Sequence, residues 1–86
     1  MASYKVEFSK RVRKDFREIP EHDANRILSK IKALAEEPLP ADSKKLKGEE
    51  LFRIRLGNYR VIYSIEDEKM LVFVVKLGHR KDVYKL

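Results

Sequence analysis

Leu51-Phe52-Arg53-Ile54-Arg55-Leu56-Gly57-Asn58-Tyr59-Arg60-Val61-Ile62-Tyr63-Ser64-Ile65 sets the frame for the whole chain. Two runs that alternate apolar with other residues flank Gly57-Asn58. Gly takes positive φ at no steric cost, so the stretch predicts a β-hairpin with a two-residue turn. With Gly57 and Asn58 in the turn, Leu56 faces Tyr59, Arg55 faces Arg60, Ile54 faces Val61, Arg53 faces Ile62 and Phe52 faces Tyr63. Neighbours on a strand point to opposite sides. Phe52, Ile54, Leu56, Tyr59, Val61 and Tyr63 therefore share one face, and Arg53, Arg55 and Arg60 share the other.

Like charges opposite one another on a ribbon are destabilising, and Arg55 and Arg60 stand in that relation. An anionic ligand offsets the cost, because guanidinium forks bind phosphate oxygens with charge-assisted, often bidentate hydrogen bonds. The plainer alternative is a solvated sheet face with acidic neighbours supplied from elsewhere in the fold.

The 86 residues fit one domain spanning 1–86, with no room for a second core. The absence of Cys excludes disulfides and thiolate metal sites and suits a reducing cytoplasm. No apolar run is long enough for a membrane span or a secretion signal, so no membrane partner is expected. A net charge of +6 favours a polyanionic partner. The charge is uneven: residues 44–60 carry +4 and 76–86 carry +3, whereas 1–43 carry +1 and 61–75 carry −2. Lys44, Lys45, Lys47 and Lys81 are candidate contacts to a polyanion on that ground, and RNA contacts if the partner is RNA.

Tyr4, Val6 and Phe8 alternate with Lys5 and Glu7, the pattern of a short strand. Ser9 is placed to cap a helix whose apolar side is Val12, Phe16 and Ile19, and Pro20 ends it. A stronger helix is predicted from about Glu21 to Glu37, with Ala24, Ile27, Leu28, Ile31, Leu34 and Ala35 as its stripe. Pro38 and Pro40 stop it, and Pro40 to Ser43 reads as a loop. After the hairpin, Glu66 to Lys69 is a polar turn, and Met70 to Leu77 is apolar except for Lys76, as in a central strand. Asp82 to Leu86 allows only a last edge strand or a tail. The order is β-α-α-β-β-β: an α+β fold with a helical hairpin packed on one face of a mainly antiparallel sheet. The other sheet face is then left open and basic.

His79-Arg80 follows Gly78, and Tyr84 lies four residues past Arg80. Strict alternation puts Arg80 opposite in face to Arg60, so its joining the cluster requires a bulge or bend, for which Gly78 is the expected site. With that bend, four arginines, Tyr84 and His79 converge. The set holds no recognisable metal-ligand spacing, no nucleophile with a base and no Gly-rich phosphate loop, so neither metal nor cofactor is expected. RNA can still be cleaved, since ribose supplies its own 2′-hydroxyl nucleophile and the protein need only align it, stabilise the phosphorane and move protons. His79 is the first candidate for proton transfer, and Tyr84 is placed to stack a base or donate a proton. The alternatives are a surface His79 and a Tyr84 packed on the sheet edge.

The run Phe52-Arg53-Ile54-Arg55-Leu56-Gly57-Asn58-Tyr59-Arg60-Val61-Ile62-Tyr63, followed by Leu77-Gly78-His79-Arg80-Lys81-Asp82-Val83-Tyr84, resembles the RelE branch of the RelE/ParE toxin superfamily. The resemblance extends over nearly the whole chain. It implies a microbial RNase-like fold and the toxin of a type II toxin-antitoxin module. It also implies ribosome-dependent cleavage of mRNA in the A site, by 2′-hydroxyl attack on the adjacent phosphate. The implied partners are mRNA, the ribosome with its 16S rRNA, and an acidic, partly disordered RelB-like antitoxin. By position, Arg60 and Arg80 match arginines on the scissile phosphate, and Tyr84 matches a tyrosine that orients the substrate. Arg53 and Arg55 fall where the best-known member has lysines. Because Arg stays charged, a general base at either position is disfavoured. Two other readings use the same basic surface: a ParE-like inhibitor of DNA gyrase without RNase activity, and an RNA-binding module that does not cut.

Overall fold

The computed structural model describes residues 3–79. Its elements are β1 (Lys5–Phe8), α1 (Lys10–Arg17), α2 (Glu21–Ala33), β2 (Lys44–Lys45), β3 (Phe52–Leu56), β4 (Tyr59–Glu66) and β5 (Leu71–His79). The strands form one sheet in the order β1-β5-β4-β3-β2. β1 runs parallel to β5 and the other three pairings are antiparallel, so the α+β architecture is as expected.

The hairpin adopts the predicted register at all five paired positions, from Phe52 opposite Tyr63 to Leu56 opposite Tyr59. Gly57 takes φ +59° while Asn58 stays out of the positive-φ region, the combination of a II′ turn. Two short helices, of 8 and 13 residues, cover one face of the sheet. Isolated helices of such length are marginal in water, so burial holds them. Val12 of α1, Ile27 and Ile31 of α2, and Leu34 beyond it meet Ile54, Val61, Tyr63, Val72, Val74 and Leu77 of the sheet in one core. Replacing a buried aliphatic of this kind by Ala costs about 2–5 kcal/mol.

Ser9 fixes the start of α1 twice over. Its Oγ accepts from the Val12 N–H at 3.1 Å, as its capping role predicts, and donates to the Val75 carbonyl at 3.0 Å. α2 ends at Ala33, short of the expected Glu37. The chain tightens there: the N–H groups of Leu34, Ala35 and Glu36 each donate to the carbonyl three residues back, and Pro38 disfavours helical geometry at Glu37. Lys30 reaches Asp42 at 2.6 Å, tying the following loop to α2 and holding the Asp42 carboxyl below its ordinary range. That loop leads into β2, a two-residue strand too short to leave a periodic signal in the sequence.

The register slips once, between Ile62 and Tyr63, which pair with Lys76 and Val74 and leave Val75 as the extra residue of a bulge. Sequence reasoning placed this bend at Gly78. In the structure Gly78 lies within β5, opposite Arg60, and the phase change comes before it.

Tyr63 lies fully buried in the core, and its hydroxyl donates to the Pro38 carbonyl at 2.7 Å. Burial is the main cause that pushes its pKa up to about 12, against a lowering contact with Ser43. A raised folded-state value gives stability that is complete below the ordinary tyrosine pKa near 10 and is lost as pH rises through about 12. Over that window, urea unfolding of the wild type should lose more stability with rising pH than Tyr63→Phe. At neutral pH the variant should be about 1 kcal/mol less stable, the worth of one hydrogen bond.

Candidate functional site

The sheet face turned away from the helices carries its charge in two rows fixed by strand pairing. Across the middle run Lys44, Arg53, Ile62 and Lys76, each opposite the next. Nearer the hairpin turn run Arg55, Arg60 and Gly78. Ile62 is fully buried yet stands outside the helix-side core cluster, as its place on this second face requires.

Alternation assigns a side chain to a face without fixing its depth. The expected open basic surface is corrected here: Arg53 is only 8% exposed, Arg60 6% and Lys76 4%, while Arg55 is exposed. In the pairing, Arg53 lies between Lys44 and Ile62 and Arg60 between Arg55 and Gly78, whereas β2 pairs only with Phe52 and Arg53 and does not reach Arg55.

The three lysines before the hairpin separate. Lys44 joins the arginine face, opposite Arg53. Lys45 stands opposite Phe52, hence on the helix side, with its Nζ 3.8 Å from Glu50. Lys47 is exposed in the turn that follows.

His79 does not join the arginines. It pairs with Tyr59, its ring meets that of Tyr59 edge-on at 6.0 Å between centroids, and the Tyr59 hydroxyl donates to Asp23 of α2 at 3.3 Å. These contacts put His79 on the helix face. There it borders a groove of about 220 Å³ beside the turn, with Asp23, Arg26 and Asn58. Burial, and then the Asp23 carboxylate, raise the pKa of Tyr59. Arg80, Lys81 and Tyr84 lie outside the described residues.

Comparison with known proteins gives this arrangement a setting. The family described as "ParE toxin of type II toxin-antitoxin system, parDE" matches residues 6–84. Toxin RelG of Mycobacterium tuberculosis is 34% identical over 90 residues, covering 95% of this chain and 97% of its own. The archaeal RelE-RelB complex from Pyrococcus horikoshii OT3 contains a chain with a TM-score of 0.82 and 35% identity, covering 92% of this chain and 97% of its own. The chain belongs to the RelE/ParE toxin family. Within that family its curated relatives are RelE-type toxins, among them the mRNA interferase toxin RelE of Escherichia coli K12, 29% identical over 92% of this chain and 85% of its own.

Lys76 is the residue of this RelE-type toxin that sequence reasoning left out of the site. A near-continuous apolar run hid the phase of β5, so nothing marked Lys76 as facing the arginines. Its neighbours gave the only signal: Val72, Val74 and Leu77 cannot all share one face unless a residue is added between them. No carboxylate of the described residues pairs with Lys76. A buried ammonium without such a partner costs stability, and an apolar residue of similar length removes the cost. The Lys76→Met toxin should therefore unfold in urea at a midpoint equal to or above the wild-type value. A clear drop would mean that the ammonium anchors the sheet.

Proposed function

We propose that this toxin is a ribosome-dependent endoribonuclease that cleaves mRNA in the A site. The observation that carries the reading is the arginine face itself: Arg55 directly opposite Arg60, Arg53 one side-chain repeat away, and Lys76 and Lys44 in the adjoining row. Cations set side by side suit a phosphate that gains negative charge in a pentacovalent transition state, with Arg55 and Lys44 exposed to meet it and Arg53, Arg60 and Lys76 set deeper behind them. The 2′-oxygen attacks phosphorus, its proton passes to a base, the bond to the 5′-oxygen breaks, and that oxygen takes up a proton. The products are a 2′,3′-cyclic phosphate and a free 5′-hydroxyl.

In this scheme Arg60 and Arg80 stabilise the phosphorane, Arg53 and Arg55 assist, and Tyr84 orients the substrate. The arginines remain charged at cellular pH, so they serve as electrostatic groups and the ribosome supplies alignment. Arginines on phosphate carry no base information, so positional selectivity comes from the ribosome. His79, on the other sheet face, stands apart from the reacting phosphate. The E. coli relative is an mRNA interferase by name, which supports the chemistry, and the relatives solved with RelB support an antitoxin as partner. The ParE description of the matching family favours one other reading, inhibition of DNA gyrase through protein contacts.

Primer extension on a defined mRNA in a reconstituted translation mixture, beside a reaction without ribosomes, tests the proposal. Cuts should appear at fixed positions within A-site codons only when ribosomes are present. Arg60→Ala should slow cutting about 10²–10³-fold, the usual loss for one donor to a developing oxyanion. His79→Ala should cut as the wild type does. Intact mRNA in both reactions, together with blocked gyrase supercoiling, would replace this reading by the gyrase one.

A further inference from the structure

At the sheet end away from the hairpin turn, on the helix side, lies a groove of about 440 Å³ whose chemistry is the reverse of the arginine face. Its apolar lining comes from Tyr4, Leu39, Phe52 and Ile65. Leu39 is 54% exposed and is the only large hydrophobic residue among those described that is exposed to solvent. Glu36, Glu37, Glu50 and Asp67 supply the charge of the rim; Glu50 stands 3.8 Å from the Nζ of Lys45, and none of the described lining residues is basic.

Two of these carboxylates sit where local energetics disfavour them. Glu36 and Glu37 follow the C-terminus of α2, the negative end of its dipole, and are adjacent like charges. Both are exposed and neither forms an ion pair with a described residue. Asp67 takes a hydrogen bond from the Tyr4 hydroxyl at 2.7 Å, which holds the aromatic wall and the acidic rim together. An apolar groove whose rim carries Glu36 and Glu37 outside any ion pair with a described residue fits a partner that offers aliphatic side chains interleaved with cations.

Resting on the reading of this chain as the toxin of a pair, we propose that the groove receives a cationic, apolar stretch of the antitoxin. RNA is a polyanion, and the acidic rim repels it, so this end of the toxin turns away from the ribosome and is left for a protein. An antitoxin that also covers the arginine face must then be bipolar: acidic where it meets Arg55 and Arg60, locally basic where it crosses Glu36 and Glu37.

Two synthetic peptides of about nine residues serve as probes, one alternating Lys with Leu and the other Glu with Leu, each titrated into the isotopically labelled full-length toxin. The Lys-Leu peptide should shift the amide signals of Leu39, Phe52 and Ile65 and bind more weakly as salt is raised. The Glu-Leu peptide should leave those signals in place. Glu36→Lys combined with Glu37→Lys, at exposed positions, should weaken the Lys-Leu peptide and the encoded antitoxin at least tenfold each, while cleavage by the variant alone stays unchanged. Leu39→Ser should weaken both without altering the salt dependence. Binding of the Lys-Leu peptide that is absent, maps elsewhere or survives the charge reversal would overturn the inference, as would unchanged antitoxin affinity. Because peptide binding is read without ribosomes, a toxin that cut no RNA would refute the proposed chemistry and leave this result standing.

Discussion

The register of the β3–β4 hairpin is the constraint on which the rest of the molecule depends. Side chains alternate with a period of two, so a slip of one residue would carry Arg53, Arg55 and Arg60 into the helix-side core and push Ile54, Val61 and Tyr63 out of it. Each misplaced guanidinium would be buried against apolar helices at a cost of several kcal/mol. Gly57, at φ +59°, allows the two-residue turn that fixes the count. The opposition of Arg55 and Arg60 follows from the same register: the pattern that buries a core on one face sets like charges against each other on the second.

β5 solves a harder problem with its bulge. Val72 and Val74 fill the core, and strict alternation would send Lys76 in after them while turning Leu77 outward. The extra residue at Val75 reverses the phase, so Leu77 enters the core and Lys76 stands opposite Ile62. The same reversal sets Gly78 beside Arg60 and His79 beside Tyr59. A single inserted residue thus decides which side chains of this strand belong to the basic face. Ser9 bonds at this irregularity through the Val75 carbonyl, so the start of α1 and the bulge are fixed together.

These cases also mark what could be read from sequence and what could not. The hairpin was legible down to residue pairs because a Gly-Asn turn and two alternating runs leave one register that sorts the faces. The helices were legible from their stripes, although the end of α2 was not, since tightening over Leu34 to Glu36 depends on how the chain leaves the sheet. β2 was missed because two residues have no period. The depth of Arg53 and Arg60 was missed because alternation fixes a side and says nothing of depth. His79 was assigned to the arginine cluster because the bend was put at Gly78; three residues earlier, the same bend sends it to the other face. The roles of Arg80 and Tyr84 rest on resemblance.

The choice of arginine over lysine at positions 53 and 55 carries its own consequence. A lysine crowded by cations can shed its proton and so relieve the repulsion, whereas a guanidinium cannot at any cellular pH. The opposition of Arg55 and Arg60 in the register is therefore not removed by loss of a proton. By mass action, whatever anion binds this face also stabilises the fold. On the function proposed above, antitoxin carboxylates and RNA phosphates compete for the same cations. On the docking proposed above, the acidic groove at the far end of the sheet gives the antitoxin a second contact that a polyanion cannot use. Inhibition would then need no stronger grip on the arginines than RNA has, because two linked contacts bind with an effective concentration that a single one lacks.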